Sequence, residues 1–241
     1  DDYFNLVPGR PVSVKVNTPV DSYAPSISTV DINTIVGYTD PIPVELRIAT
    51  QQYITAIDYL DSGISPDPQS STFTVKHNEP YGLQLLMPGE ANVPGSGIYP
   101  NGGKTTFVST PTAGTQFFVR ANLVDKYFNI ARDILTGPDA YIYTADPYDI
   151  DPSTVTMSYG VVDIPVTLVR KSTSTFIKLY PSAAPGNDIC TANNPTNICL
   201  NNDLQSKSTF KVYSSTATKL HITLPGENIV EGYCNTSPPC K

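Results

Sequence analysis

The stretch STFTVKHNEPYGLQLLMPGE, Ser71 to Glu90, returns as STFKVYSSTATKLHITLPGE, Ser208 to Glu227, aligned over twenty residues without a gap and with eight identities. A chain that carries one strand-like segment twice is expected to fold as repeated units, because self-similarity at a fixed order marks a module that recurs. Further matches follow in the same order. DDYFN at Asp1 to Asn5 matches DKYFN at Asp125 to Asn129, and IPVEL from Ile42 matches IPVTL from Ile164. The copies are spaced by 124, then 122, then 137 positions, so the second copy holds 15 more residues between its IPV and STF segments. At the far end Lys241 stands opposite Lys104, just past the opening strand of a third copy. The expected division is a first unit over 1–79 lacking the counterparts of residues 105–124, a complete second unit over 80–217 whose insertion is stapled by a disulfide, and the opening strand and linker of a third over 218–241. Both ends of the chain then fall inside a module, as in a piece cut from a longer array.

Within each copy the local signal is strand. PVSVKVN, IPVELRI, QYITAIDY, TQFFVRANLV, DAYIYTA, IPVTLVR, STFIKLY and KLHITLP alternate apolar and polar residues, and clusters of Pro, Gly, Asn and Asp separate them. The most helix-like window, Leu123 to Leu135, has Asn129 at its centre and no capping box, and it reads as a strand end and a loop. Seven or eight short antiparallel strands in about 130 residues from Gly82 onward are the pattern of a β-sandwich. The fold class expected is all-β, in tandem sandwiches joined by Pro/Gly-rich linkers.

Composition narrows the partners. The net charge is −7, charged residues make up only 15% and Trp is absent, a balance typical of secreted β proteins. Lys and Arg are scattered, whereas a phosphate backbone requires a clustered basic face, so nucleic acid is not expected as a partner. No apolar run is long enough for a membrane helix, and Asp1 follows no basic and apolar leader, as expected of a mature or excised chain. Cysteines come in two close pairs, Cys190 with Cys199 and Cys234 with Cys240, each inside a polar loop. Local disulfides fit an oxidising compartment, and free thiols remain open; the spacings are not those of a zinc site. Asn235-Thr236-Ser237 is a glycosylation sequon within the second pair.

PTAGTQFFVRANLVDKYFN, Pro111 to Asn129, resembles the bacterial Ig-like repeat in which an Ala-Gly-Thr turn precedes a strand ending in Val-Asp-x-Tyr-x-Asn. GLQLLMPGE and KLHITLPGE are similar to the strand and Pro-Gly-Glu step that open such repeats, and GGK at Gly102 to Lys104 to the linker that follows. The resemblance implies tandem sandwich modules of long secreted or surface-anchored proteins, used as stalks, fibres or adhesins.

Chemistry-bearing motifs are few. GIYPNGGKT, Gly97 to Thr105, lacks the Gly that a phosphate-binding loop needs four residues before Gly-Lys, and precedes no helix. His77 and His221 have no nucleophile beside them in sequence, so no catalytic residue and no cofactor are expected. Glu90 and Glu227, recurring in Pro-Gly-Glu, are expected to satisfy backbone donors or a neighbouring Lys. Asp146, Asp149 and Asp151 form a loop that is either a calcium site or a solvated acidic turn. Tyr141, Tyr143, Tyr148 and Tyr159 offer either a sugar-binding face or ordinary strand packing. The expected role is a structural segment of an extracellular or cell-surface fibre, stalk or filament, its partners being copies of itself or adjacent repeats. A first unit short of its early strands would be completed by strand addition from a neighbouring chain. The alternative is an adhesin module that binds surface glycans.

Overall fold

Twelve β-strands run through the described residues of the computed structural model, 5–60, 69–149, 154–181 and 207–233, and most of the alternating segments are among them. All pairings between these strands are antiparallel, so the all-β class stands. The chain divides into two compact units, Asp1–His77 and Asn78–Lys241.

The second unit holds β6 (Gly82–Leu86), β7 (Gln116–Val124), β8 (Thr136–Thr144), β9 (Val155–Ser158), β10 (Val161–Thr167), β11 (Ser172–Pro181) and β12 (Lys207–Val212). Their order is β12-β11-β8-β9-β10-β7-β6. The sheet folds on itself, because β6 also packs against β11 and β12 at the other end of that order. Period-two alternation then sends one face of every strand into a single core: Leu83, Leu85, Leu123, Ile142, Ile164, Ile177, Leu179 and Phe210 are all buried there. Each such side chain contributes about 1.5–3 kcal/mol by leaving water. The β9–β10 hairpin closes through Tyr159 and Gly160, both at positive φ, as a two-residue turn that matches strand twist demands. Pro165 is tolerated inside β10 because, beyond Val161, that strand is laddered on its β7 side alone.

β6 is buried on both faces. Residues 88–105, expected as a linker, instead fold back over its outer face. Gly82 leaves room for the Tyr99 ring and Gly103, at φ 79°, for the Phe128 ring; a Cβ at either position would overlap those rings. Tyr99 stacks on Phe128 with centroids 5.7 Å apart and donates from its hydroxyl to the Leu83 carbonyl at 3.1 Å. Beneath this flap Asn122 Nδ2 donates to Gln84 Oε1 (2.9 Å), and Gln84 Nε2 donates to the Gly103 carbonyl (2.7 Å), so each side chain of the buried pair is bonded, while Asn122 Oδ1 accepts no bond among the described residues.

The first unit holds β1 (Ser13–Asn17), β2 (Val30–Asp31), β3 (Gln51–Gln52), β4 (Thr55–Asp58) and β5 (Phe73–Thr74), in the orders β2-β1-β4 and β3-β5. With β3 and β4 together standing where β11 does, this repeats the β9-β8-β11-β12 part of the second unit. Counterparts of β6, β7 and β10 are not among its described strands. IPVELRI, expected as a strand, forms none, and the reason is visible in the other copy: there IPVT lies in β10 and is laddered to β7 along its length. A strand without that neighbour has no ladder to join. The buried residues among those described in this unit are Ser13, Asp21 and Gln52, all polar.

Candidate functional site

The strongest local chemistry is structural, and it is built on Asp-x-Tyr. After β8 the chain turns at Asp146, whose Oδ1 accepts from the Tyr148 N–H (3.1 Å), the short-range bond that Asp makes two residues ahead. Its Oδ2 accepts from the N–H groups of Val169 and Arg170, both at 2.8 Å, just before β11. The first unit repeats this bond for bond. Asp21 Oδ1 accepts from Tyr23 (3.1 Å), and its Oδ2 accepts from Arg47 (2.5 Å) and Ile48 (2.8 Å). Both aspartates are buried. Each carboxylate staples the loop after one strand to the segment leading into a distant one, with charge-assisted bonds stronger than neutral ones.

A third aspartate of this type sits in the DKYFN step. Asp125 Oδ1 accepts from the N–H groups of Tyr127 (2.8 Å) and Asn129 (3.0 Å), while Oδ2 accepts from Asn78 N–H and Asn129 Nδ2, both at 2.9 Å. The fixed loop carries Phe128 at φ 67°, a conformation that costs about 1 kcal/mol or more for a bulky side chain, offset here by complete burial of its ring.

The acidic loop is thus largely spoken for. Both oxygens of Asp146 face backbone donors, and Asp149 Oδ2 accepts from the Thr144 hydroxyl at 2.5 Å. Asp151 lies outside the described residues. Among the described residues no group of three or more His, Cys, Asp or Glu side chains is placed to share a metal ion. Sequence reasoning singled out Asp146 and passed over Asp21, although the recurrence of Asp-x-Tyr in both copies was there to find.

The Pro-Gly-Glu step is a carboxylate-capped turn. Glu90 N–H donates to the Met87 carbonyl (2.9 Å), Glu90 Oε2 accepts from Met87 N–H (2.7 Å), and Gly89 supplies φ 91°. Lys104 reaches the same carboxylate at 3.2 Å and also donates to the Leu85 carbonyl at 3.0 Å. The second occurrence forms the same turn: Glu227 N–H donates to Leu224 O and Glu227 Oε2 accepts from Leu224 N–H, each at 3.0 Å, with Gly226 at φ 93°.

The four candidate tyrosines do not converge. Tyr141 and Tyr143 share the outer face of β8, where Tyr143 lies near Phe176 (centroids 6.1 Å apart) and Lys207 caps that Phe at 4.7 Å. Tyr148 meets Tyr233 edge-on at 5.5 Å beyond one end of β8, and Tyr159 sits in the hairpin at its other end. His221 is exposed and His77 half-buried. Cys190, Cys199, Cys234, Cys240 and Asn235 lie outside the described residues. An open groove of about 530 Å³, which the sequence did not suggest, brings together Arg170, Lys171, Lys211 and Tyr213 beside Glu231. Lys171 pairs with Glu231 at 2.8 Å. Its cations come from strand ends some forty residues apart, which local spacing could not connect.

Compared with known proteins, the chain matches no family model and no curated sequence.

Proposed function

We propose that the chain is a structural segment of an extracellular or cell-surface fibre, stalk or filament, built from tandem Ig-like modules and associating with copies of itself or adjacent repeats. The observation that carries this reading is the Asp21 and Asp146 staple, three bonds made twice with the same partners' geometry in two units. A shared strand order around the staple supports it. So does the topology of the second unit: along its one sheet, β6-β7-β10-β9 and then β8-β11-β12 follow the strand orders ABED and CFG of constant-type Ig sandwiches, joined here by the pairing of β8 with β9. A module of this kind acts mechanically. Its function is length and stiffness, which repetition supplies without any reacting group.

Stretching single chains between their ends tests the reading. A load-bearing segment gives a distinct unfolding event for the second unit, and the same chain binds nothing on a glycan array. The second reading, a glycan-binding module, draws its support from the groove at Arg170, Lys211 and Tyr213, where cations and an aromatic ring suit an acidic sugar. Saturable binding on the array, lost in Arg170→Ala/Lys211→Ala, would replace the spacer by the adhesin.

A further inference from the structure

β6 shows what its segment does when it is seated. Leu83, Leu85 and Met87 are 0%, 0% and 2% exposed, whereas their counterparts Leu220, Ile222 and Leu224 are 101%, 80% and 57% exposed. Residues 214–224 run outside any strand. The receiving side shows the complementary gap. β6 packs against β11 and β12, where Leu179 and Phe210 are 2% and 8% exposed, while the corresponding Ile57 of β4 and Phe73 of β5 are 37% and 38% exposed. One chain therefore carries both halves of a contact that its second unit makes internally, and leaves each half open.

Resting on the modular reading above, we infer that residues 218–224 of one copy seat on the Ile57 and Phe73 face of the first unit of a second copy, in the place that β6 holds over β11 and β12. The contact is one of side chains, because the ladder that β7 gives β6 has no counterpart among the described strands of the first unit; alternating apolar side chains entering a waiting face supply its specificity. The segment arrives with its terminal bend already set by Glu227, which lowers the ordering cost of docking. Donor and acceptor are different surfaces, so the contact is head-to-tail and adds copy to copy, into open chains unless its rotation closes a ring.

Sedimentation velocity of the full chain over a concentration series tests this. The expected result is a ladder of oligomers that grows with concentration. The donor variant Leu220→Ser/Ile222→Ser/Leu224→Ser and the acceptor variant Ile57→Asp/Phe73→Asp each run as monomers. Mixed in equal amounts they form one-to-one dimers, because a single intact donor then meets a single intact acceptor. Donor substitutions fall on exposed side chains, so the urea midpoint of the second unit stays at its wild-type value and a loss of association is not a loss of fold. A wild-type chain that stays monomeric at every concentration, or association that survives in both variants, would overturn the seating. Either result leaves the modular reading to stand or fall on the stretching experiment.

Discussion

Residues 83–87 and 220–224 have almost the same sequence pattern and end in the same capped turn, yet one lies in a strand buried on both faces and the other runs outside any strand. The turn forms in both places because its bonds are local, between residues three apart. The strand forms in one place because its bonds are not local: β7 supplies the ladder, β11 and β12 the apolar face, and the flap of residues 88–105 the cover. Alternation in sequence thus specifies which side chains will be buried together if a partner is present, and leaves the presence of the partner to the rest of the fold.

The largest expected effect separates the two strands directly. Leu85→Ala should cost the second unit about 2–5 kcal/mol, as a truncation in a filled core does, while Ile222→Ala should change the dilute monomer by about 0.5 kcal/mol or less. Urea unfolding followed by tyrosine fluorescence reads both, since the chain has no Trp. Equal losses would mean that the two strands are equally seated. Next, Asp146→Ala removes the acceptor for three backbone N–H groups and should cost about 3 kcal/mol. Asp21→Ala, in a unit whose described residues include no buried apolar side chain, should appear as faster hydrogen exchange at Arg47 and Ile48.

Tyr99→Phe asks how much the flap adds to the seating of β6. Loss of the bond to Leu83 should cost about 1 kcal/mol near neutral pH. The phenol of Tyr99 is pushed up to about 12, chiefly by burial and then by Tyr81. A raised value in the folded state means that its stabilisation is complete below about pH 10 and is lost as pH rises through about 12. Wild type should therefore lose Tm more steeply than Tyr99→Phe across that alkaline range. The smallest effect belongs to the outward face. Arg120 and Asp163 pair at 2.7 Å between β7 and β10, both about half exposed, so Asp163→Asn should cost no more than about 0.5 kcal/mol. Hydrogen bonding from Arg120 holds the Asp163 carboxyl below its ordinary value. That small contribution is present above about pH 4 and disappears as pH falls through the depressed value, which a Tm titration at low salt would detect.

The all-β class was legible because TQFFVRANLV, DAYIYTA, IPVTLVR and STFIKLY alternate cleanly and do become β7, β8, β10 and β11. IPVELRI and KLHITLP alternate just as cleanly and form no strand. Nothing in either segment reports whether a neighbour is in place. The loop around Asn129 was correctly read as non-helical, but its organiser, Asp125, was not foreseen, since three of its four donors are main-chain N–H groups, which no side-chain pattern in the sequence reports. The flap was read as a linker for a related reason. Its Gly and Pro residues look like a flexible connection until Gly103 is seen to make room for the Phe128 ring, and Gly82 of β6 for the flap's own Tyr99.

The aspartate staple carries a consequence for divergence. Its donors are main-chain N–H groups, supplied by Arg47 and Ile48 in one unit and by Val169 and Arg170 in the other. A carboxylate that reads only the backbone is blind to side-chain identity at those positions. Two units held in this way can differ in nearly all their surface chemistry while keeping one geometry at the staple. Each unit is then free to acquire a character of its own: Arg170, Lys171 and Lys211 of the cationic groove stand opposite Ile48, Ala49 and Thr74 in the first unit.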